Sequence, residues 1–328
     1  MGNKIDLWNL WIIGMGFIVG TGCLHAQKEP QYSQYMYNIG SFNPAYAGTV
    51  ESLEIIGLYR AQWVDIPGAP TTIRAGANIP FSNKKMGLGL NVVNDGLGPS
   101  NQTNIDLAYS YQIQLSGGTK LSFGLNAGGS LLDIDYSKGN FVNPADPSIV
   151  GENYNSFYPT VGAGLFLYHQ EDWYLGASVP NVLTHGLYND EVATIVEDNM
   201  QLNLIGGYVF PLGDRTRFKP AFLVNYLKGS PVTVNLSANF QFVDALTLGA
   251  SYRVDNAVSA LAGFQISNTM FVGYAYDYAT NGLGEYSGGS HEAILKFYIG
   301  RGTKGPEDTT PKGGNKNKGK QIDSPRFF

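Results

Sequence analysis

From about residue 52 onward, apolar and polar residues alternate with period two, as strands do when their two faces meet different surroundings. In 232–242, Val232, Val234, Leu236, Ala238, Phe240 and Phe242 fall on one face, and Thr233, Asn235, Ser237, Asn239 and Gln241 on the other. In 104–115, Ile105, Leu107, Tyr109, Tyr111, Ile113 and Leu115 oppose Asn104, Asp106, Ser110, Gln112 and Gln114. The run 246–254 repeats the scheme. About fourteen such runs are present, at 52–62, 70–79, 85–94, 102–115, 119–133, 157–168, 172–179, 200–211, 216–227, 231–242, 245–254, 257–266, 269–279 and 290–300.

Strands of about ten residues with one apolar and one polar face fit a transmembrane barrel or a large soluble β-sandwich or barrel. The two differ in sense. A soluble sheet turns its polar face to bulk water, where Lys and Glu are expected. Here the polar faces carry Ser, Thr, Asn, Gln and Gly, which suits a crowded lumen and favours an all-β outer-membrane barrel of about 14 antiparallel strands. The connections agree. Every second one (81–84, 116–118, 169–171, 212–215, 243–244, 267–268) is short, whereas the other set includes 135–156 and 180–199. Short periplasmic turns and long outer loops are the asymmetry of such barrels.

Composition sharpens this picture. Of 328 residues only 14% are charged, against roughly a quarter in ordinary soluble domains. Gly is used 42 times and Tyr 21 times. The mean hydropathy of −0.11 is the average of two opposite faces. No apolar span of about 20 residues follows the N-terminus, so a helical membrane protein is not indicated. A net charge of −5 and a pI near 5.4 argue against nucleic acid as a partner.

The chain is expected to divide into a signal peptide (1–26), an N-terminal periplasmic or plug segment (27–51), the barrel (52–300) and a flexible periplasmic tail (301–328). Lys4 and the apolar run 10–19 form a secretory signal, with the cut between Ala26 and Gln27. A lipoprotein cut at Cys23 is the alternative, although Gly20 stands where such a signal wants an apolar residue. Cys23 is the only cysteine, so thiol catalysis and thiolate metal sites are excluded together. The tail carries seven basic and three acidic residues and ends in Pro325-Arg326-Phe327-Phe328. It is too polar to pack, and its tip is either a solvated end or a partner-binding peptide.

Chemistry for catalysis is sparse. After the signal, His169, His185 and His291 remain. His169 falls in a turn, His185 in a long loop, and His291 beside Glu292 at the start of the last strand, where a structural hydrogen bond competes with an acid–base pair. No Gly-x-Ser-x-Gly elbow occurs. The expectation is no enzyme, no cofactor and no metal. The inward charges are more informative: Glu54, Asp106, Asp277 and Glu292 against Arg60, Arg74, Arg253 and Lys296. A charge in a narrow or plugged lumen needs a partner, so cross-lumen pairs are expected, with segment 27–51, to occlude the pore in part. Trp63, Trp173, Tyr59, Tyr168, Tyr174, Tyr226, Tyr252 and Tyr278 suit interfacial girdles, and Trp63 equally suits a binding surface.

The stretch Gln31-Tyr32-Ser33-Gln34-Tyr35-Met36-Tyr37-Asn38, followed by Asn43-Pro44-Ala45-Tyr46-Ala47-Gly48, resembles the opening signature of the PorP/SprF family. Arg60-Ala61-Gln62-Trp63, Pro67-Gly68-Ala69-Pro70, 273–278 with Asp277, His291-Glu292 and the closing Pro325-Arg326-Phe327 continue the likeness. Ser324 stands where that family often has Cys. The resemblance implies an outer-membrane component of type IX secretion and gliding machinery in Bacteroidota. It would bind, export or anchor a secreted cargo, such as the C-terminal domain of a large adhesin. Periplasmic ring or peptidoglycan-linked components are further implied partners, with both termini periplasmic. An outer-membrane channel or hydrophobic-solute transporter independent of secretion is the alternative.

Overall fold

The computed structural model describes residues 30–135, 137, 154–169, 172–183, 186–189, 192–197 and 200–300. The expected signal, its expected cleavage pair Ala26 and Gln27, His185 and the tail with Arg326 and Phe327 lie outside these residues. The strands are β1 (Leu53–Ala61), β2 (Thr71–Pro80), β3 (Met86–Leu97), β4 (Ser100–Gln114), β5 (Thr119–Ile134), β6 (Tyr154–His169), β7 (Trp173–Val179), β8 (Gly186–Asn189), β9 (Val192–Glu197), β10 (Gln201–Tyr208), β11 (Phe210–Pro211), β12 (Thr216–Leu227), β13 (Thr233–Phe242), β14 (Leu246–Arg253), β15 (Ala257–Ser267), β16 (Met270–Ala279) and β17 (Ser290–Ile299).

Strands β1 to β7, β10 with its continuation β11, and β12 to β17 form one antiparallel sheet of neighbours. Pairing of β1 with β17, and of β10 with β12, leaves no open edge. The result is a closed barrel of fourteen strands. Closure satisfies every strand edge internally, which hydrocarbon demands because it offers no water to unpaired amides. Among the described residues no helix is long and apolar enough to cross a membrane. The small β8–β9 hairpin stands apart inside the loop at 180–200, a feature the alternation pattern did not signal.

The burial is inside out. On β13, Leu236 and Phe240 are exposed, whereas Asn235, Ser237, Asn239 and Gln241 are buried. On β4 and β5 the outward Leu107 and Leu125 are each 63% exposed, while Ser110 and Ser122 are fully covered. This is the sense of a membrane barrel, and it removes the soluble sandwich. At the β13–β14 turn, Val243 and Asp244 both take positive φ (53° and 56°), the geometry that lets a two-residue hairpin follow the strand twist.

Two expectations need correction. Tyr168 and Tyr174 are not girdle residues: both are buried to within 2% and face inward. Strand-end position alone does not fix which face a tyrosine takes. Tyr59, Tyr226, Tyr252 and Tyr278 do point outward, with 42–57% exposed. Inward positions are also less polar than expected: Ile56, Leu58, Phe166, Ile205, Leu223, Phe271 and Ile294 are buried there, because they pack on chain inside the lumen.

Candidate functional site

The lumen is filled by residues 31–50. This stretch folds into three single-turn 3-10 helices, Tyr35–Tyr37, Ile39–Ser41 and Pro44–Tyr46. The third starts as its sequence dictates. The Asn43 side-chain oxygen accepts from the Ala45 N–H (2.9 Å), and Pro44, with no N–H to lose, takes the first helical position. Tyr32, Tyr35, Met36, Tyr37, Ile39, Phe42 and Tyr46 are all buried. Side chains of this size contribute about 1.5–3 kcal/mol each on full burial.

The wall receives the segment through specific bonds. The Tyr35 hydroxyl lies 2.8 Å from the Ala221 carbonyl and 2.9 Å from Ser237 Oγ. Asn43 Nδ2 donates to the Leu165 carbonyl (2.8 Å), and Ser178 Oγ donates to that of Phe42 (2.6 Å). Gln112 donates to the Gly48 carbonyl and accepts from the Tyr168 hydroxyl. Two wall glycines are required by contact: a Cβ on Gly87 would stand 2.2 Å from Gly48 Cα, and one on Gly124 2.2 Å from Ala45 N. A remaining gap of about 50 Å³ beside Phe42, Asn43, Asp106 and Asn126 holds a few waters at most.

A cluster of charges fixes the start of the segment. Glu292 on β17 accepts the backbone N–H groups of Ser33 and Gln34, each at 2.9 Å. Arg60 on β1 reaches Glu292 at 3.1 Å and Asp277 on β16 at 2.7 Å. The Ser33 hydroxyl donates to Asp277 (2.6 Å). Arg60, Asp277 and Glu292 are 1%, 2% and 0% exposed. Strand register explains the assembly: Arg60 pairs directly with Glu292, and Asp277 pairs with Ser290 on the same strand as Glu292.

The other inward charges are placed differently. Lys296 meets Glu54 at 2.7 Å, and Asn78 donates to the same carboxylate (2.8 Å). Arg74 donates to Asn91 (2.7 Å) and Arg253 to Asn235 (2.8 Å). Asp106 accepts from Thr160 (2.7 Å) and Asn126 (3.3 Å). The two ion-pair groups therefore join neighbouring strands along the wall and do not bridge the lumen. The segment itself lies inside the barrel, packed against these walls.

His291 points away from its neighbour Glu292, as alternate residues of a strand must, and is bonded to the Tyr274 hydroxyl (2.5 Å). It forms no acid–base pair with Glu292. Trp63 takes positive φ (45°), and its N–H donates to Ser290 Oγ (3.2 Å), which ties the first loop to the last strand. Pro67 and Gly68 are exposed in that loop, and the Gly68 carbonyl accepts from Gly98 N–H (2.9 Å). Among the described residues no group of three or more His, Cys, Asp or Glu side chains is arranged to hold a metal.

Lys219 was missed. It is fully buried on β12. Its Nζ donates to the Met36 carbonyl (3.5 Å) and lies 5.0 Å from the Tyr37 ring centre and 6.0 Å from that of Tyr174. The alternation through Phe218-Lys219-Pro220-Ala221 puts Lys219 on the same face as Ala221, so the signal was present.

The sequence pattern of the type IX secretion system membrane proteins PorP/SprF matches residues 24–297. This chain belongs to that family. No curated protein sequence matches it. Among solved structures, the toluene transporter TbuX of Ralstonia pickettii is similar in fold at TM-score 0.48 and 11% identity, covering 81% of this chain and 93% of that one. The outer membrane protein Omp33 of Acinetobacter baumannii gives 0.43 and 10%, covering 77% and 100%. A FadL homologue of Pseudomonas aeruginosa gives 0.42 and 12%, covering 82% and 93%.

Proposed function

We propose that this PorP/SprF protein is a plugged outer-membrane platform that binds a secreted type IX cargo at its long-loop end and works without catalysis. The observation that carries the reading is the filled lumen. A barrel whose interior is occupied by residues 31–50, pinned at Glu292, Asp277 and Arg60, is built to present surfaces, not to pass solutes. The tied loops around Trp63, Pro67 and Gly68 supply one such surface. The C-terminal tail 301–328, which ends in Arg326-Phe327-Phe328, follows β17 in sequence and would be the contact for periplasmic ring or peptidoglycan-linked components. The cargo class, the C-terminal domain of a large adhesin, rests on family resemblance.

The test joins capture with flux. The full chain, purified from its native membrane, should carry a secreted type IX protein and give no uptake of small solutes when reconstituted in liposomes. Recovery of the barrel alone, together with solute flux, would overturn the platform reading and establish the channel.

A further inference from the structure

Strands β7, β10, β12 and β13 carry one row of paired residues across the wall. Trp173 pairs with Tyr208 and Tyr174 with Gly207, Gly207 with Ala221, and Ala221 and Phe222 with Ser237 and Leu236. The row is irregular. Pairing of β10 with β12 stops at Gly207–Ala221 and resumes at Phe210–Phe218 on β11, so the ladder lapses where Tyr208 and Val209 face Lys219 and Pro220. Pro220 has no N–H to give to a ladder, and the Val209 N–H turns to the Asp172 carbonyl (2.6 Å). At this break the wall holds a groove of about 620 Å³, bounded by Trp173, Tyr208, Phe222 and Leu236 and poor in side chain at Gly207 and Pro220. Its rim faces outward, with Tyr208 43% and Leu236 48% exposed. Tyr174, Ala221 and Ser237 behind it are buried, and two of them meet the lumen segment. The Tyr35 hydroxyl lies 2.8 Å from the Ala221 carbonyl and 2.9 Å from Ser237 Oγ. The groove is therefore backed by the segment and opens away from it.

Depth decides what can fill such a groove. Pro220 lies four residues beyond Thr216, the first of β12, which is about 13 Å along the strand. At a strand tilt near 40° that is roughly 10 Å along the membrane normal, inside the apolar band of about 25 Å typical of such barrels. The outward rings of Phe210, Phe218 and Phe240 stack between the groove and the turns. The groove is also continuous with the lipid-facing wall, where Leu175 and Leu204 are exposed on the neighbouring strands β7 and β10. An apolar recess does not take up water, and left empty it would forfeit dispersion contacts on every side. Hydrocarbon is the material present at that depth.

We propose that this groove is a binding site for one acyl chain of a membrane lipid, drawn from the leaflet on the short-turn side. The chain packs along the gap at Pro220 and supports the wall from outside at the place where Tyr35 and the Lys219–Met36 contact (3.5 Å) hold it from inside. The site asks only that the barrel span a membrane, and it is independent of cargo and of which way the barrel faces.

Trp173 reports on the site directly. After the expected signal the chain holds two tryptophans, Trp63 and Trp173, so Trp63→Phe leaves one emitter on the groove's rim. Folded barrels, checked by heat-modifiable migration, are placed in vesicles of phosphatidylcholine with brominated acyl chains and in unbrominated vesicles. Bromine should quench Trp173. Pro220→Phe in the same background sets a ring where the chain lies and should lose much of that quenching. In native mass spectrometry of the full chain purified from its own membrane, one phospholipid should survive detergent washing and be lost from Pro220→Phe. Absence of quenching in brominated vesicles would mean that protein, a second copy or a partner, covers this face, and it overturns the acyl-chain site. A native barrel that retains no lipid overturns it too, as does a folded Pro220→Phe barrel that keeps the lipid or the full quenching. Should Pro220→Phe fail to fold, Leu236→Phe narrows the groove from β13 without touching the ladder and is read in the same way.

Discussion

Replacing Arg60 by Met removes the cation that holds the plug's entry point while keeping much of the side-chain volume. In the native barrel the guanidinium donates to Asp277 at 2.7 Å, to Glu292 at 3.1 Å and to Ser33 Oγ at 3.2 Å, at 1% exposure. Without it, two buried carboxylates share one small space with no positive charge between them. Breaking a buried ion pair from one side costs about 3–5 kcal/mol. The cost falls on the docked state of the segment, because withdrawal of Ser33 and Gln34 admits water to both carboxylates. At about 1.4 kcal/mol per tenfold change, the docked-to-withdrawn ratio drops by roughly two to three and a half orders of magnitude. Protonation of one carboxylate recovers part of this, so the lower figure is the safer expectation.

The assay is single-channel recording in planar bilayers, with heat-modifiable migration as the check that the barrel itself is folded. Native protein should conduct little, and Arg60→Met should show frequent larger openings. Asp277→Ala should move the same way, since it strips a partner from both Arg60 and Ser33. Arg60→Lys should fall between, as an ammonium keeps the charge and loses the two-pronged donor geometry. Folded barrels with unchanged conductance in both Arg60→Met and Asp277→Ala would refute the idea that these charges hold the segment in place.

Gly124→Val should raise conductance and expose residues 31–50 to protease in folded barrels, because its Cβ would stand 2.2 Å from Ala45 N; retained protection would count against the plug contact. Leu107→Arg, at an outward position 63% exposed, should lower the urea midpoint in lipid vesicles by an amount worth about 2–4 kcal/mol if the site is near the bilayer midplane. No change would contradict the lipid-facing sense of β4. Lys296→Met should destabilise the barrel, and adding Glu54→Gln should restore part of the loss, since their 2.7 Å contact is buried; additive losses would mean the pair is uncoupled. Deleting 306–328 should leave migration of the barrel unchanged and reduce cargo display, and full display would make the tail a solvated end.

The wall of this barrel was legible because period-two alternation is local. Every one of the fourteen expected runs has a strand in the structure, β12 with the same limits, 216–227, because lipid outside and polar groups inside leave a strand no choice of face. The interior was less legible. Tyr168 and Tyr174 look like girdle residues at strand ends, and only the presence of Tyr46, Phe166 and the segment beside them makes inward aromatics useful. Arg60, Glu292 and Asp277 were readable as inward charges, but their gathering depends on the register of β1, β17 and β16. Lys219 was readable from the same alternation, which sets it on the face of Ala221, but its partners, the Met36 carbonyl and the Tyr37 ring, come from a segment far away in sequence.

The division of labour inside the lumen follows from the same energetics. Apolar and aromatic side chains of residues 32–46 supply most of the attraction, and such contacts have little directional preference. They would hold the segment in many positions. A buried carboxylate accepting two consecutive backbone N–H groups, as Glu292 does from Ser33 and Gln34, is satisfied in only one. Buried ion pairs add little net stability when compared with apolar replacements, yet breaking one is costly. The Arg60 cluster therefore sets where the segment starts, and the glycine contacts at Gly87 and Gly124 set how closely it lies against the wall. Replacing the whole cluster with matched apolar residues should leave the barrel stable and the plug mispositioned, whereas removing Arg60 alone should loosen it. That difference separates a device for position from one for stability.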